Sequence, residues 1–239
     1  MRGVVLLFLL SLWPGGQVDA INQEVLANVV QEMRRFGLVG QQYAMAVILT
    51  QDQCNQNQVK FDLNTEEIQN TLNGNNIYTG DWLIAATPLK TPLYTEHAEY
   101  RLLSRGKTKI SPMETLINKA GHNAGQCIVF FSTYSPCLEK CNGPDGGRYN
   151  IIPLMNVFQG FDNNRKAFVF SSVWDPSRNH PGVTNPSRQW VLESFKRIDG
   201  HLPVYRCDRF KENNKWVNRC YRCVTANTNP DTNDCLYGY

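Results

Sequence analysis

One imidazole, two thiols and a carboxyl bracket an apolar strand in the middle of this chain, and any fold it adopts must account for that grouping. His97-Ala98-Glu99 opens a helical pattern in which Ala98, Leu102 and Leu103 are apolar. Cys127 to Phe131 is an apolar run of strand length, and Ser135-Pro136-Cys137-Leu138-Glu139-Lys140-Cys141 closes the stretch. The unit reads as helix, strand, helix.

Cys137 and Cys141 are four apart, so on a helix they share a face, close enough for both sulfurs to lie about 2.3 Å from one zinc ion. Pro136 directly before them favours a helix start, whose positive end stabilises thiolates. His97 and Glu99 would lie about 200° apart around a helix axis, so they address one ion only if the helix's opening end points at it. Pro88 and Pro92 punctuate the loop that delivers His97, which suits that placement. Three protein ligands leave a tetrahedral zinc one open position, the arrangement of catalytic rather than structural sites. Water held there ionises near neutral pH, with Glu99 to carry its proton. Two other readings use the same residues. One is a Cys137–Cys141 disulfide, since such positions lie about 6 Å apart; the other is a Cys137–His97 nucleophile pair, which leaves Cys141 without a task.

The first twenty residues read as a signal peptide: Arg2, an apolar run from Val4 to Trp13, and small residues at Val18-Asp19-Ala20. That run is too short to span a bilayer, and no later one approaches the roughly 20 residues a membrane helix needs. The expectation is a secreted protein beginning at Ile21, with no membrane attachment after cleavage. Cysteines in such a chain pair by default. The eight present, at 54, 127, 137, 141, 207, 220, 223 and 235, allow four bridges, or three with Cys137 and Cys141 kept for metal. Parity leaves both open. Cys207, Cys220, Cys223 and Cys235 are expected to pair among themselves, the alternative being a four-cysteine zinc knot.

A formal charge of +3 is mild for a dedicated duplex-DNA binder. It is uneven, however. Arg206, Arg209, Lys211, Lys215, Arg219 and Arg222 face only Asp208 and Glu212, which reads as a solvated hairpin surface rather than a phosphate-contacting strip.

Taken in order, Ile21 to Phe36 has apolar residues at helical spacing, and Tyr43 to Leu49 and Ile77 to Ala86 read as neighbouring antiparallel strands. Thr65 to Leu72 and Pro112 to Ala120 fit short helices. Tyr149 to Phe158 is expected to be helical, Ala167 to Trp174 a fourth strand, and Ser187 to Ile198 a helix with Trp190, Val191, Phe195 and Ile198 inward. Leu202 to Tyr205 begins a fifth strand. Strands separated by helical crossovers give an α/β fold, a five-stranded mixed sheet flanked by helices. Residues 21–205 form the expected catalytic domain, and 206–239 a cysteine-rich extension with too little apolar surface for its own core.

His97-Ala98-Glu99 followed by Pro136-Cys137 and Cys141 resembles the H-x-E and P-C-x-x-C signature of the zinc deaminases of nucleobases, with one extra residue between the cysteines. With Ser132-Thr133-Tyr134-Ser135-Pro136-Cys137, where relatives read Ser-Trp-Ser-Pro-Cys, the chain resembles the AID/APOBEC-like cytidine deaminases, as a secreted branch of that family. The resemblance covers most of residues 21–205 and implies the three-layer cytidine-deaminase-like fold. It implies His97, Cys137 and Cys141 as zinc ligands and Glu99 as proton shuttle. It also implies Tyr134 beside the target base, and Trp174 with Asp175 in a loop that reads neighbouring nucleotides. Its substrate would be cytosine, as a nucleoside or in single-stranded nucleic acid. Besides that longer cysteine gap, the chain departs from the pattern in three further places. Thr87, Thr91 and Thr95 stand where polynucleotide-editing relatives carry an Asn; a Gly-rich insertion follows Cys141; and the tail is cysteine-rich. The contrasting functional class is a secreted, disulfide-stapled binding protein with a structural zinc.

Overall fold

A computed structural model describes residues 21–121, 125–138, 141–143, 146–176 and 186–239. The expected signal peptide, His122, His180 and the Glu139-Lys140 pair lie outside the described residues.

Ala44–Leu49 (β1) is buried at all six positions, as a strand covered on both faces must be. It pairs antiparallel with Leu83–Ala86 on one side and with Cys127–Tyr134 on the other. In chain order the elements are Gln23–Arg34 (α1), β1, Gln51–Asn55 (α2), Thr65–Asn73 (α3), Tyr78–Thr79 (β2), Leu83–Ala86 (β3), Leu89–Lys90 (β4), Thr95–Glu96 (β5), Ala98–Leu103 (α4) and Pro112–Ala120 (α5). Then come Cys127–Tyr134 (β6), a 3-10 helix over Ile152–Phe158, Lys166–Ser172 (β7), Arg188–Asp199 (α6), Val204–Glu212 (β8) and Lys215–Arg222 (β9). A second 3-10 turn, Asp234–Leu236, comes last.

The main sheet runs β2-β3-β1-β6-β7-β8-β9, with β6, β7 and β8 mutually parallel and the remaining neighbours antiparallel. Side chains alternate across it. Ile128 and Phe130 of β6 enter the apolar layer shared with α4, α5 and α6, while Val129 and Phe131 enter the layer shared with α1 and α3. The result is the expected α/β sandwich of helices, mixed sheet and helices, with seven strands in the sheet instead of five. Two differences account for that number. The stretch from Ile77 to Ala86 is broken by a Gly80-Asp81 turn that folds β2 back onto β3, Gly80 N–H donating to the Leu83 carbonyl at 2.9 Å. β8 also continues through Arg206 to Glu212 and turns back as β9.

Local sequence fixes the helix ends. Asn22 accepts from Val25 N–H at 2.8 Å to cap α1, and Ser111 with Glu114 forms a reciprocal capping box behind Pro112 at the start of α5. Gly121, at φ 74°, ends α5 in the left-handed conformation that favours glycine. Trp190 is 49% exposed, contrary to expectation. Val191, Leu192, Phe195 and Ile198 make the buried stripe of α6, and Trp190 lies about 80° off its nearer edge. No helix runs through Cys137, Leu138 or Cys141, so the one expected there is absent from the described residues.

Three disulfides are present: Cys54–Cys127, Cys207–Cys220 and Cys223–Cys235. The four tail cysteines thus pair among themselves, and no zinc knot forms from them. Among the described residues, no helix is long and apolar enough to cross a membrane.

Candidate metal centre

β4 and β5 form a two-rung hairpin, Leu89 opposite Glu96 and Lys90 opposite Thr95, that ends directly at His97. Tyr94 at its tip stacks on Tyr149, ring centroids 6.2 Å apart, with Arg148 over both rings. The lead-in to His97 is thereby tied to the segment that follows Cys141. His97 is the N-cap of α4, in extended conformation (φ −73°, ψ 153°), and its side chain makes no capping bond. Its carbonyl accepts from Arg101 N–H, so the backbone belongs to the helix while the imidazole projects from its opening end. This resolves the angular problem with Glu99.

The parallel strands deliver the sulfurs. As β6 ends, Ser135 N–H donates to the Ser172 carbonyl at 2.8 Å, and the Ser135 hydroxyl accepts from Trp174 N–H at 2.9 Å, fastening the exits of β6 and β7 together. Cys137 follows. Cys141 is held by its carbonyl, which accepts from Ile151 N–H at 2.8 Å. The next residue, Asn142, is fully buried; it donates to the Ser194 carbonyl of α6 at 2.7 Å and accepts from Arg197.

These elements bring His97 Nδ1, Cys137 Sγ and Cys141 Sγ within 4.8 Å of one another. Nδ1 lies 2.8 Å from Cys141 Sγ and 3.7 Å from Cys137 Sγ, and the sulfurs are 3.1 Å apart. Neither cysteine is in a disulfide, which removes the competing reading. One nitrogen and two sulfurs converging on a common point are a donor set that can hold a metal ion.

Glu99, in the first turn of α4, has no exposure to solvent. Its Oε1 accepts from the Ser132 hydroxyl of β6 at 2.6 Å, and Oε2 has no hydrogen-bond partner among the described residues. Burial pushes the carboxyl above its ordinary pKa; the Ser132 hydrogen bond and the charge of His97 pull the other way. The Cys141 thiol is raised well above its usual range by its hydrogen bond with Cys137, by burial and by the Cys137 and Glu99 charges. Two thiolates and a carboxylate cannot all be charged in so small a buried space without a cation between them. The donor chemistry therefore fits a divalent metal.

The site opens into a cleft of about 970 Å³. Gly40, Gln41 and Gln42 line it ahead of β1, Thr87, Lys90 and Thr95 from the β3–β5 region, and Tyr134 at the end of β6 with Trp174 just beyond β7. Tyr134 and Trp174 meet edge to face at 5.7 Å. Asp175 is half-buried outside this lining, where its charge helps raise the Tyr239 hydroxyl to about 12, burial being the larger cause. Ser132, Asn75 and the Gln41-Gln42 pair are site residues that sequence reasoning missed. Asn75, at φ 56° just past α3, lines the cleft from far outside the His97 approach. Thr87, closer in sequence, spends its hydroxyl on the Leu72 carbonyl.

The family model described as Secreted Novel AID/APOBEC-like Deaminase 1, SNAD1, matches residues 23–239. No curated protein and no solved structure matches the chain.

Proposed function

Because this chain belongs to the family of secreted AID/APOBEC-like deaminases, we propose that it is an exported zinc-dependent hydrolase that converts cytosine to uracil with release of ammonia. The observation that carries this reading is the convergence of His97, Cys137 and Cys141 beside a buried Glu99. An imidazole and two thiolates suit zinc, which when bound supplies the Lewis acidity that makes water a nucleophile near neutral pH. The secreted description of the family and three disulfides support an extracellular location.

The chain's own residues would do the rest. Ser132 holds Glu99 Oε1, leaving Oε2 to take a proton from water. Burial raises the proton affinity of this carboxyl, so it retains the proton long enough to pass it to the base. The first proton goes to the ring nitrogen as water's oxygen bonds to the carbon that carries the amine; as that oxygen becomes the carbonyl, its remaining proton passes by way of Glu99 to the amine, the carbon–nitrogen bond breaks, and ammonia leaves. Tyr134 and Trp174 form an aromatic wall against which a flat base can pack. Trp174 and the neighbouring Asp175 are the residues proposed to contact nucleotides flanking the target.

Purified mature protein, loaded with zinc, should release ammonia and convert cytidine to uridine, or cytosine to uracil within a single-stranded oligonucleotide. Glu99→Ala should lose roughly 10²–10⁴-fold in rate while keeping its metal and its unfolding transition. Stoichiometric zinc with no turnover on nucleosides or oligonucleotides would overturn the proposal and favour a binding protein.

A further inference from the structure

The last registered pair between β7 and β8 is Phe170 with Arg206. Residues 207–212 continue with only β9 as their strand partner, about 20 Å at roughly 3.3 Å per residue. β6 and β7 point the same way as β8, and their carboxyl ends carry Tyr134, Cys137 and Trp174 into the cleft. The β8–β9 arm therefore runs past the sheet edge at which the cleft opens, with its base held along α1: Asn218 donates to Gln31, and Arg34 donates to the Cys207 carbonyl.

The arm is rigid by construction. Cys207 and Cys220, directly opposed, are disulfide-linked at its base. Asn213 and Asn214, at φ 46° and 62°, give its tip the two left-handed residues of a type I′ turn. Directly opposed residues share a face, so Lys211 and Trp216 lie side by side, with Arg209 next to them on β8. Arg209 and Lys211 are exposed. Trp216 is 66% exposed, more than any other described tryptophan. Arg206 and Arg222, by contrast, are engaged within the fold, by the Cys235 and Tyr237 carbonyls and by Asp199. Exposed cations alone would suffice to keep an edge strand from pairing with another chain. They explain neither the exposed indole nor the disulfide staple at the arm's base.

We infer that the β8–β9 arm is a binding surface for single-stranded polynucleotide, with Arg209 and Lys211 on phosphates and Trp216 stacked on a base. A preorganised indole flanked by cations is the chemistry that grips an unpaired strand. A free nucleoside, small enough for the cleft, gains nothing from it. The inference uses the deaminase reading only in taking the neighbouring cleft to accept a pyrimidine.

The test uses the full mature chain carrying Glu99→Ala, so that binding is scored without turnover. The probe is a fluorescein-labelled single-stranded DNA of mixed sequence, followed by anisotropy between about 50 and 200 mM salt. Arg209→Gln with Lys211→Gln should flatten the slope of log affinity on log salt by about 1.4, from roughly 0.7 per phosphate contact. Trp216→Ala should weaken binding about tenfold, and should have no effect with an abasic strand of the same length. Affinities unchanged in both variants would overturn the inference. So would variants that lose binding to phosphatidylserine vesicles yet keep full oligonucleotide affinity, which would assign the arm to anionic membrane. Absence of cytidine turnover in the Glu99-containing parent would count against the deaminase reading alone, because the arm is judged by binding.

Discussion

Glu99 sits between opposing influences: burial raises the proton affinity of its carboxyl, and the Ser132 hydroxyl at 2.6 Å lowers it while fixing one oxygen. Removing that hydroxyl leaves the three metal donors untouched but frees the carboxylate to turn. Ser132→Ala should therefore keep full metal content and lose roughly ten- to a hundredfold in turnover, the usual range for an outer partner of a metal site. Metal analysis beside steady-state kinetics checks it, and metal lost in parallel with activity would contradict it. That His97, Cys137, Cys141 and Glu99 come together was legible in the sequence, because their residue types are rare in that order and each has a chemical reason for its spacing. Ser132 was not, because a serine in a strand has no meaning until the strand is known to lie against α4. Asn75 was missed because only the fold brings the end of α3 to the cleft.

Elements whose ends are written locally were the easiest to read. α5 starts with Ser111, Pro112 and Glu114 and ends at Gly121, and its bounds match the expected Pro112 to Ala120. Arg105 and the Ser111 backbone hold the Glu114 carboxyl down at about 2, against an ordinary 4.5. The unfolded chain thus binds this proton at higher pH than the folded one, so the stabilisation is complete above about 4.5 and is lost as pH falls towards 2. Glu114→Gln should be less stable than the parent near neutrality, and the difference should shrink across that acid window in denaturant titrations; a constant difference would contradict the assignment. Short polar elements such as β4 and β5 carry no periodicity to detect, and β9 shows a mixed aromatic and charged pattern. Arg101 illustrates what joins such pieces: it donates to the Thr87 and Asn75 carbonyls, bracing two walls of the cleft from α4. Arg101→Met should cost about 2–3 kcal/mol by stranding those acceptors, measurable by chemical unfolding. A loss within about 0.5 kcal/mol would show that the brace is dispensable.

The assembled chain separates its cysteines by environment. Six close disulfides, one of them joining α2 to β6 and two stapling the region after β7. The remaining two meet His97 at a buried point that could hold a metal ion. In an oxidising compartment two such thiols stay unpaired only if something occupies them, and under the proposed function zinc would do so. X-ray absorption at the zinc edge of the purified protein tests this most directly. The expected result is one zinc per chain with two sulfur neighbours at about 2.3 Å and nitrogen or oxygen neighbours at about 2.0–2.1 Å. A shell of four sulfurs, or protein isolated without metal and with Cys137 bonded to Cys141, would contradict the account.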